Sequence, residues 1–127
     1  MVGMAAPYTG TLPFVVEALE PGCAQVSMRD GRGVRNHLSS IHAMALANLG
    51  EVATGLALNF GLAAGRRAIL VAYEMRYLKK ARGRLVASCQ VDVPPPDGEV
   101  IVEGRIQDEG GNLVAEARAV WKVGTIA

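Results

Sequence analysis

The sequence predicts an α+β domain in which an antiparallel sheet wraps around one long central helix. Two patterns carry this prediction. Residues 43–65 form an apolar stretch long enough for about six helical turns, and six other segments alternate apolar and polar residues as strands do. A chain of 127 residues has the size of one domain with a substantial core, so we assign residues 1–127 to a single domain.

Six strands are predicted from the alternating segments. In chain order they cover residues 13–19, 23–29, 68–78, 84–93, 99–108 and 112–123. In the last of them Ala117, Ala119 and Trp121 share one face, while Arg118 and Lys122 share the other. The connections between the last four strands are short and rich in Gly and Pro, which predicts that these strands follow one another as an antiparallel meander.

The helix is predicted to begin after Ser39 or Ser40, either of which is a natural N-cap, and to end near residue 62. It would be about 33 Å long and apolar on nearly every side, which is typical of a helix at the centre of a domain. The same stretch is long enough to span a bilayer. Its Glu51 would be costly at the centre of a membrane, and we therefore expect no membrane partner.

Composition, cysteine spacing and the first ten residues narrow the class of protein. Half of the residues are apolar, a fifth are charged and the formal net charge is +1, which gives no reason to expect a nucleic-acid partner. Cys23 and Cys89 lack the spacing of a metal site, so we expect two reduced core thiols and no metal. The first ten residues have no charged region followed by an apolar block, which favours a cytoplasmic protein.

Three polar residues interrupt the apolar segment NHLSSIHAMALANLGE. Asn36 and His42 precede the body of the helix, and Glu51 lies within it. With the order of elements above, their spacing resembles that of hotdog-fold acyl-CoA thioesterases, in the branch similar to phenylacetyl-CoA thioesterase. That branch carries an Asn, a His six residues later, and an Asp or Glu nine residues after the His. The resemblance covers about residues 7–124, and YLKKARG at residues 77–83 matches the end of the family's third strand.

The chain departs from the family pattern at two places. The family's His is followed by Gly-Gly, whereas His42 is followed by Ala43 and Met44. Some members place a Ser or Thr early in the third strand, where this chain has Leu70. The resemblance implies hydrolysis of an acyl-CoA thioester without a separate cofactor, because coenzyme A enters as part of the substrate.

Helix geometry favours a homodimer. Nine residues along a helix correspond to about 13.5 Å and two and a half turns, so His42 and Glu51 lie on opposite faces. One chain therefore cannot aim both at one substrate atom, whereas two antiparallel helices lying side by side can. This agrees with the interface sites of hotdog proteins. The apolar start of the third strand is expected to pair with its twin across the two-fold axis. The sequence leaves dimer and tetramer both open.

The expected roles follow from the resemblance. Glu51 acts as a general base on water or attacks the thioester directly, and the sequence does not separate these mechanisms. The backbone N–H of Ala43, at the helix start, stabilises the oxyanion. Asn36 positions the carbonyl or the water, His42 orients that end of the site, and Thr54 supports Glu51. A basic set is expected to bind the phosphates of coenzyme A. It consists of Lys79, Lys80, Arg82 and Arg84, and Arg66 and Arg67 are further candidates beside it.

Three alternatives remain open. A non-catalytic module that binds acyl-CoA or a fatty acyl group would suit Ala43 and Met44 in place of Gly-Gly. A hotdog hydratase or dehydratase also uses a His and a carboxylate across an interface, but its Pro-Gly-rich motif and wider spacing are missing here. A purely structural dimer would bind no thioester at all. Acyl chain length is not fixed by the sequence.

Overall fold

A computed structural model describes residues 14–29 and 43–125, which form one six-stranded antiparallel sheet and one helix. The elements are β1 Phe14–Glu20, β2 Cys23–Met28, α1 Ala43–Asn59, β3 Arg66–Tyr77, β4 Leu85–Gln90, β5 Gly98–Gln107 and β6 Leu113–Thr125. The sheet has the strand order β1-β2-β4-β5-β6-β3, with every neighbouring pair antiparallel. The predicted fold class is confirmed.

Helix α1 lies against the inner face of the sheet and forms the centre of the core. Leu46, Leu49 and Leu58 are fully or almost fully buried, and the helix contacts strands across the whole sheet. The facing strands supply small side chains such as Ala87, Ala117 and Ala119, so the helix can approach the sheet closely. Within the described ranges, no helix is long and apolar enough to cross a membrane.

The position of β3 differs from the predicted meander. Strands β4, β5 and β6 do form a meander, but β3 pairs with β6 at the edge of the sheet, and β4 pairs with β2. Residues 78–84 connect β3 to β4. Seven extended residues reach about 23 Å, whereas three strand spacings require only about 14 Å. A short connection therefore did not require β3 and β4 to be neighbours, and that part of the prediction is wrong.

Element boundaries shift by a few residues from those predicted. Helix α1 ends at Asn59 rather than near residue 62, because Gly61 N–H turns back to the carbonyl of Leu58 at 3.1 Å. Strand β4 ends at Gln90 rather than at residue 93, ahead of three consecutive prolines at 94–96. The predicted N-cap at Ser39 or Ser40 lies outside the described residues.

The turn between β1 and β2 is tied to the helix. Gly22 has a φ of 79°, and its N–H donates to the carbonyl of Ala57 at 3.0 Å. A Cβ at this position would lie 2.4 Å from the carbonyl oxygen of Val91. Glycine is therefore required by both conformation and space, and the turn joins the end of the helix to the far edge of the sheet.

An ion-pair network on β1 predicts how stability depends on pH. Glu17 accepts a hydrogen bond from Ser27 and lies 3.1 Å from the guanidinium of Arg84. The Ser27 hydrogen bond, followed by that of Arg84, lowers the pKa of Glu17 below its ordinary range. The stabilising contribution is complete above the unfolded-state pKa, about 4.3 for glutamate. It is lost as pH falls through the lower folded-state pKa.

We therefore expect the urea midpoint to fall on acidification from pH 6 to pH 3, and to fall less in Glu17→Gln than in the parent. Asp108 contributes a similar decline, because the backbone N–H of Asn112 is the main group that lowers its pKa. This part of the decline is the same in the parent and in Glu17→Gln. Urea titrations at several pH values measure the difference. Identical declines in the two proteins would show that Glu17 contributes nothing.

Candidate functional site

Glu51 lies on a partly accessible stripe of an otherwise buried helix. Met44 is exposed, and Ala47, Asn48, Glu51 and Val52 are half-buried. Their spacing of i, i+3, i+4, i+7 and i+8 places all five on one face. The stripe therefore presents a carboxylate to a helix surface that the sheet of the same chain does not fully cover.

Ala43 is the first residue of α1 and is exposed. The first N–H groups of a helix have no acceptor within the helix, and the dipole makes this end favourable for negative charge. Eight residues separate Ala43 from Glu51, which corresponds to about 12 Å along the axis. Asn36 and His42, the other two residues of the predicted motif, lie outside the described residues.

Thr54 is fully buried behind Glu51. Its hydroxyl donates to the main-chain carbonyl of Glu51 at 3.1 Å and accepts from the indole N–H of Trp121 at 3.4 Å. The structure thus places Thr54 against the backbone of Glu51, and both hydrogen bonds of its hydroxyl go to groups other than the Glu51 carboxylate. Its predicted supporting role is consistent with contact through the main chain.

Replacing Thr54 by Val tests this arrangement, because Val keeps the shape of the side chain but removes the hydroxyl. The buried indole N–H of Trp121 would lose its acceptor, which costs about 1–3 kcal/mol. We expect Thr54→Val to lower the free energy of unfolding by that amount in urea titration. Thr125→Val, at an exposed position, is the control. A Thr54 variant as stable as the control would contradict the arrangement.

Two tyrosines of β3 reach the same helix from the sheet. The hydroxyl of Tyr73 donates to the carbonyl of Ala47 at 2.7 Å, and that of Tyr77 donates to the carbonyl of Ala43 at 3.1 Å. Burial, and then the charge of the nearby Glu51 carboxylate, raises the pKa of Tyr73. Neither tyrosine was predicted from the sequence as a residue of the site. For the half-buried Tyr73, the available signal was that a tyrosine packed against a core needs a partner for its hydroxyl, whereas the exposed Tyr77 gave no such signal.

Gly50 makes room for this contact. A Cβ at Gly50 would lie 2.4 Å from the Tyr73 hydroxyl and 2.8 Å from the Cβ of Ala117. Both are closer than side-chain atoms can approach, so the residue that precedes Glu51 must be small for Tyr73 to reach the helix.

The predicted basic set is divided in the structure. Lys79, Lys80 and Arg82 are exposed on the connection after β3. Arg84 is paired instead with Glu17 on β1, and its backbone N–H donates to Glu109 at 3.0 Å. Three of the four cations therefore remain candidates for binding phosphates, whereas the fourth has a structural partner.

Catalysis by a cysteine nucleophile or by a metal ion is less compatible with the described residues. Cys23 and Cys89 are both free thiols, and burial, with the neighbouring Cys23 as a second cause, raises the pKa of Cys89 to about 12. Cys89 is thus a protonated thiol at neutral pH and unsuited to nucleophilic attack. Among residues 14–29 and 43–125 there is no group of three or more His, Cys, Asp or Glu side chains suited to a metal ion.

Comparison with known proteins assigns the chain to a family. A family model described as a domain of unknown function, DUF4442, matches residues 1–123. No match is found among curated proteins.

Solved structures share the fold over almost the whole chain. A protein described as genomics APC5556 is 29% identical with a TM-score of 0.91, covering 99% of this chain and 86% of that one. PA5026 from Pseudomonas aeruginosa, described as a probable thioesterase, is 23% identical with a TM-score of 0.88, covering 98% and 91%.

The PaaI protein of E. coli, from the phenylacetic acid degradation operon, is 20% identical with a TM-score of 0.82, covering 99% of this chain and 88% of that one. Further structures with the same fold are described as thioesterases from Staphylococcus aureus and Haemophilus influenzae. The chain therefore belongs to the DUF4442 family and has the hotdog fold of thioesterases of known structure.

Proposed function

We propose that this protein hydrolyses acyl-CoA thioesters at a homodimer interface, with Glu51 as the general base or nucleophile and the Ala43 amide as the oxyanion donor. The observation that carries the proposal is the position of Glu51. It is a half-buried carboxylate on the accessible stripe of an apolar core helix. A carboxylate is unusual on so apolar a helix, and catalysis gives a reason for it in a fold shared with thioesterases.

Helix geometry supports assembly of the site from two chains. An oxyanion donor and a base must both lie within hydrogen-bonding reach of the reacting groups, but Ala43 and Glu51 of one chain are about 12 Å apart along the axis. A second helix lying antiparallel on the stripe would bring its Ala43 near Glu51.

The edge strand β3 also supports a dimer. It is 12 residues long, and Ile69 and Val71 are 50% and 48% exposed. A long edge strand with an apolar segment, here residues 68–73, favours pairing with another chain, and pairing of two β3 strands would place the helices of the two chains side by side. Assembly of two dimers into a tetramer is compatible with this arrangement.

The proposed reaction has two alternative routes, and both use the Glu51 carboxylate and the Ala43 N–H. As a base, Glu51 takes a proton from water, the resulting hydroxide attacks the thioester carbonyl carbon, and the negative oxygen accepts from the Ala43 N–H. The C–S bond then breaks, and the thiolate of coenzyme A takes the proton from Glu51. As a nucleophile, Glu51 forms a mixed anhydride and releases the thiolate, and water then hydrolyses the anhydride. Neither route needs a separate cofactor.

Roles for the remaining predicted residues complete the proposal. Asn36 would hold the water or the carbonyl, and His42 would orient the helix start. Lys79, Lys80 and Arg82 would bind the phosphates of coenzyme A, because three exposed cations close in sequence provide the charge that such groups require. Arg84 would contribute less, since it is paired with Glu17 at 3.1 Å.

Release of free thiol from a panel of short, long and aromatic acyl-CoAs tests the proposal. We expect turnover of at least one of these classes, with release of one thiol per acid formed. The exposed Met44 stands where the phenylacetyl-CoA-thioesterase-like branch that the sequence resembles has a glycine, which favours as a second candidate a module that binds acyl-CoA without hydrolysing it. Tight binding of the panel with no thiol release would support that candidate and contradict hydrolysis.

A further inference from the structure

Three side-chain hydroxyls bind one row of carbonyls on helix α1. Tyr77 donates to Ala43 at 3.1 Å, Tyr73 donates to Ala47 at 2.7 Å, and Thr54 donates to Glu51 at 3.1 Å. Carbonyls four residues apart lie above one another along a helix. The row therefore runs from the first residue of the helix, where the oxyanion donor is proposed, to the residue that carries the carboxylate.

The middle contact, from Tyr73, is made to the carbonyl that accepts from the amide of Glu51. In an α-helix the N–H of residue 51 donates to the carbonyl of residue 47, so Tyr73 shares its acceptor with the backbone of Glu51. Thr54 holds the other side of the same residue through the Glu51 carbonyl. The amide of Glu51 is thus linked through its acceptor to a side chain of the sheet, and the carbonyl of Glu51 is linked to Thr54, a residue of the same helix whose hydroxyl also accepts from the indole N–H of Trp121.

Neighbouring side chains and the space at Gly50 hold Tyr73 against the helix. The ring packs against the core cluster, and the hydroxyl lies 3.3 Å from the sulfur of Met75. Gly50 leaves space for the hydroxyl, as a Cβ there would lie 2.4 Å from it. Strand β3 pairs with β6 from Arg66 to Tyr77, with one bulge at Val71, so Tyr73 joins the paired sheet to the helical turn that carries Glu51.

We propose that Tyr73 is a positioning residue that fixes the Glu51 carboxylate by holding the Ala47 carbonyl through its hydroxyl, with Tyr77 fixing the helix start in the same way. Tyr73 donates to the main chain and contacts no reacting atom. Its effect on the rate therefore passes through Glu51. This inference rests on the proposed hydrolysis for its kinetic consequence, whereas its structural consequence is measured separately.

Tyr73→Phe removes one oxygen atom and keeps the ring. Because small displacements of a reacting group cost up to about 100-fold in rate, we expect kcat to fall at least about tenfold while KM changes less than about twofold. Ser88→Ala, which removes a hydroxyl from β4 on the face turned away from the helix, is the control and should keep the parent kcat.

The Glu51→Gln background separates positioning from a general structural role. If Tyr73 acts through Glu51, Tyr73→Phe lowers kcat in the parent but leaves the residual rate of Glu51→Gln unchanged, while the loss of thermal stability is the same in both backgrounds. An equal loss of kcat in both backgrounds, or a lower Tm with an unchanged kcat, would overturn the proposal. An active Glu51→Gln single variant would instead reject the proposed function.

Amide hydrogen exchange gives a readout that needs no activity. In Tyr73→Phe we expect the Glu51 amide to exchange at least about tenfold faster than in the parent, with the amide of Leu58 unchanged, because only the turn held by Tyr73 is loosened. Unchanged exchange at Glu51 would overturn the positioning role whatever the protein hydrolyses.

Discussion

Glu51→Gln is expected to abolish hydrolysis of acyl-CoA while leaving the fold intact. Glutamine keeps the size of the side chain but cannot take a proton from water or form an anhydride. Loss of a general base lowers rates by about 100- to 10,000-fold, and loss of a nucleophile has an effect at least as large. Release of free thiol over a panel of acyl-CoAs measures this change, with kcat expected to fall and KM to change little.

Glu74→Gln provides the matched control for this variant. Glu74 is an exposed carboxylate of β3 that pairs across the strands with Arg118, on the face of the sheet opposite Tyr73. It should retain the activity of the parent. If Glu51→Gln hydrolysed the panel as well as Glu74→Gln does, no catalytic role would remain for Glu51.

Ala43→Pro is expected to have the second-largest effect, because it removes the N–H proposed to bind the oxyanion. Proline is well tolerated in the first turn of a helix, where the missing N–H has no acceptor within the helix. The fold should therefore survive. Removing one oxyanion donor costs about 100- to 1,000-fold in kcat, and the same thiol-release assay measures it.

Ala43→Gly is the control for the proline variant, since glycine keeps the N–H at the same position. It should retain most of the parent activity, and both variants should show the parent's thermal unfolding within a few degrees. An active Ala43→Pro would mean that the oxyanion is held by another group. An Ala43→Gly variant as inactive as the proline variant would show that the side chain, and not the amide, is important.

Local patterns predicted most of the fold. The alternation in Ala117, Ala119 and Trp121 identifies the buried face of β6, and the apolar run at residues 43–65 identifies the central helix. These features depend on residues close together in sequence. The place of β3 beside β6 was not predicted, because strand order depends on pairing between distant segments, and the connecting segment is long enough for either arrangement.

The site was predicted less completely than the fold. Glu51 stood out because a carboxylate is unusual in so apolar a helix. Tyr73 and Tyr77 did not stand out, because their hydroxyls acquire partners only when β3 lies under the helix. Arg84 was grouped with its basic neighbours by sequence, but it pairs with Glu17, which is remote in sequence. Contacts between distant segments decided each of these differences.

Mixing two inactive variants tests most directly whether each site is built from two chains. Glu51→Gln and Ala43→Pro are co-refolded in equal amounts and assayed for thiol release. With a shared site, half of the dimers are mixed, and each mixed dimer has one intact site of two, so about a quarter of the parent activity returns. If both groups belonged to one chain, no intact site would form, and activity that stayed at the level of the separate variants would contradict the account.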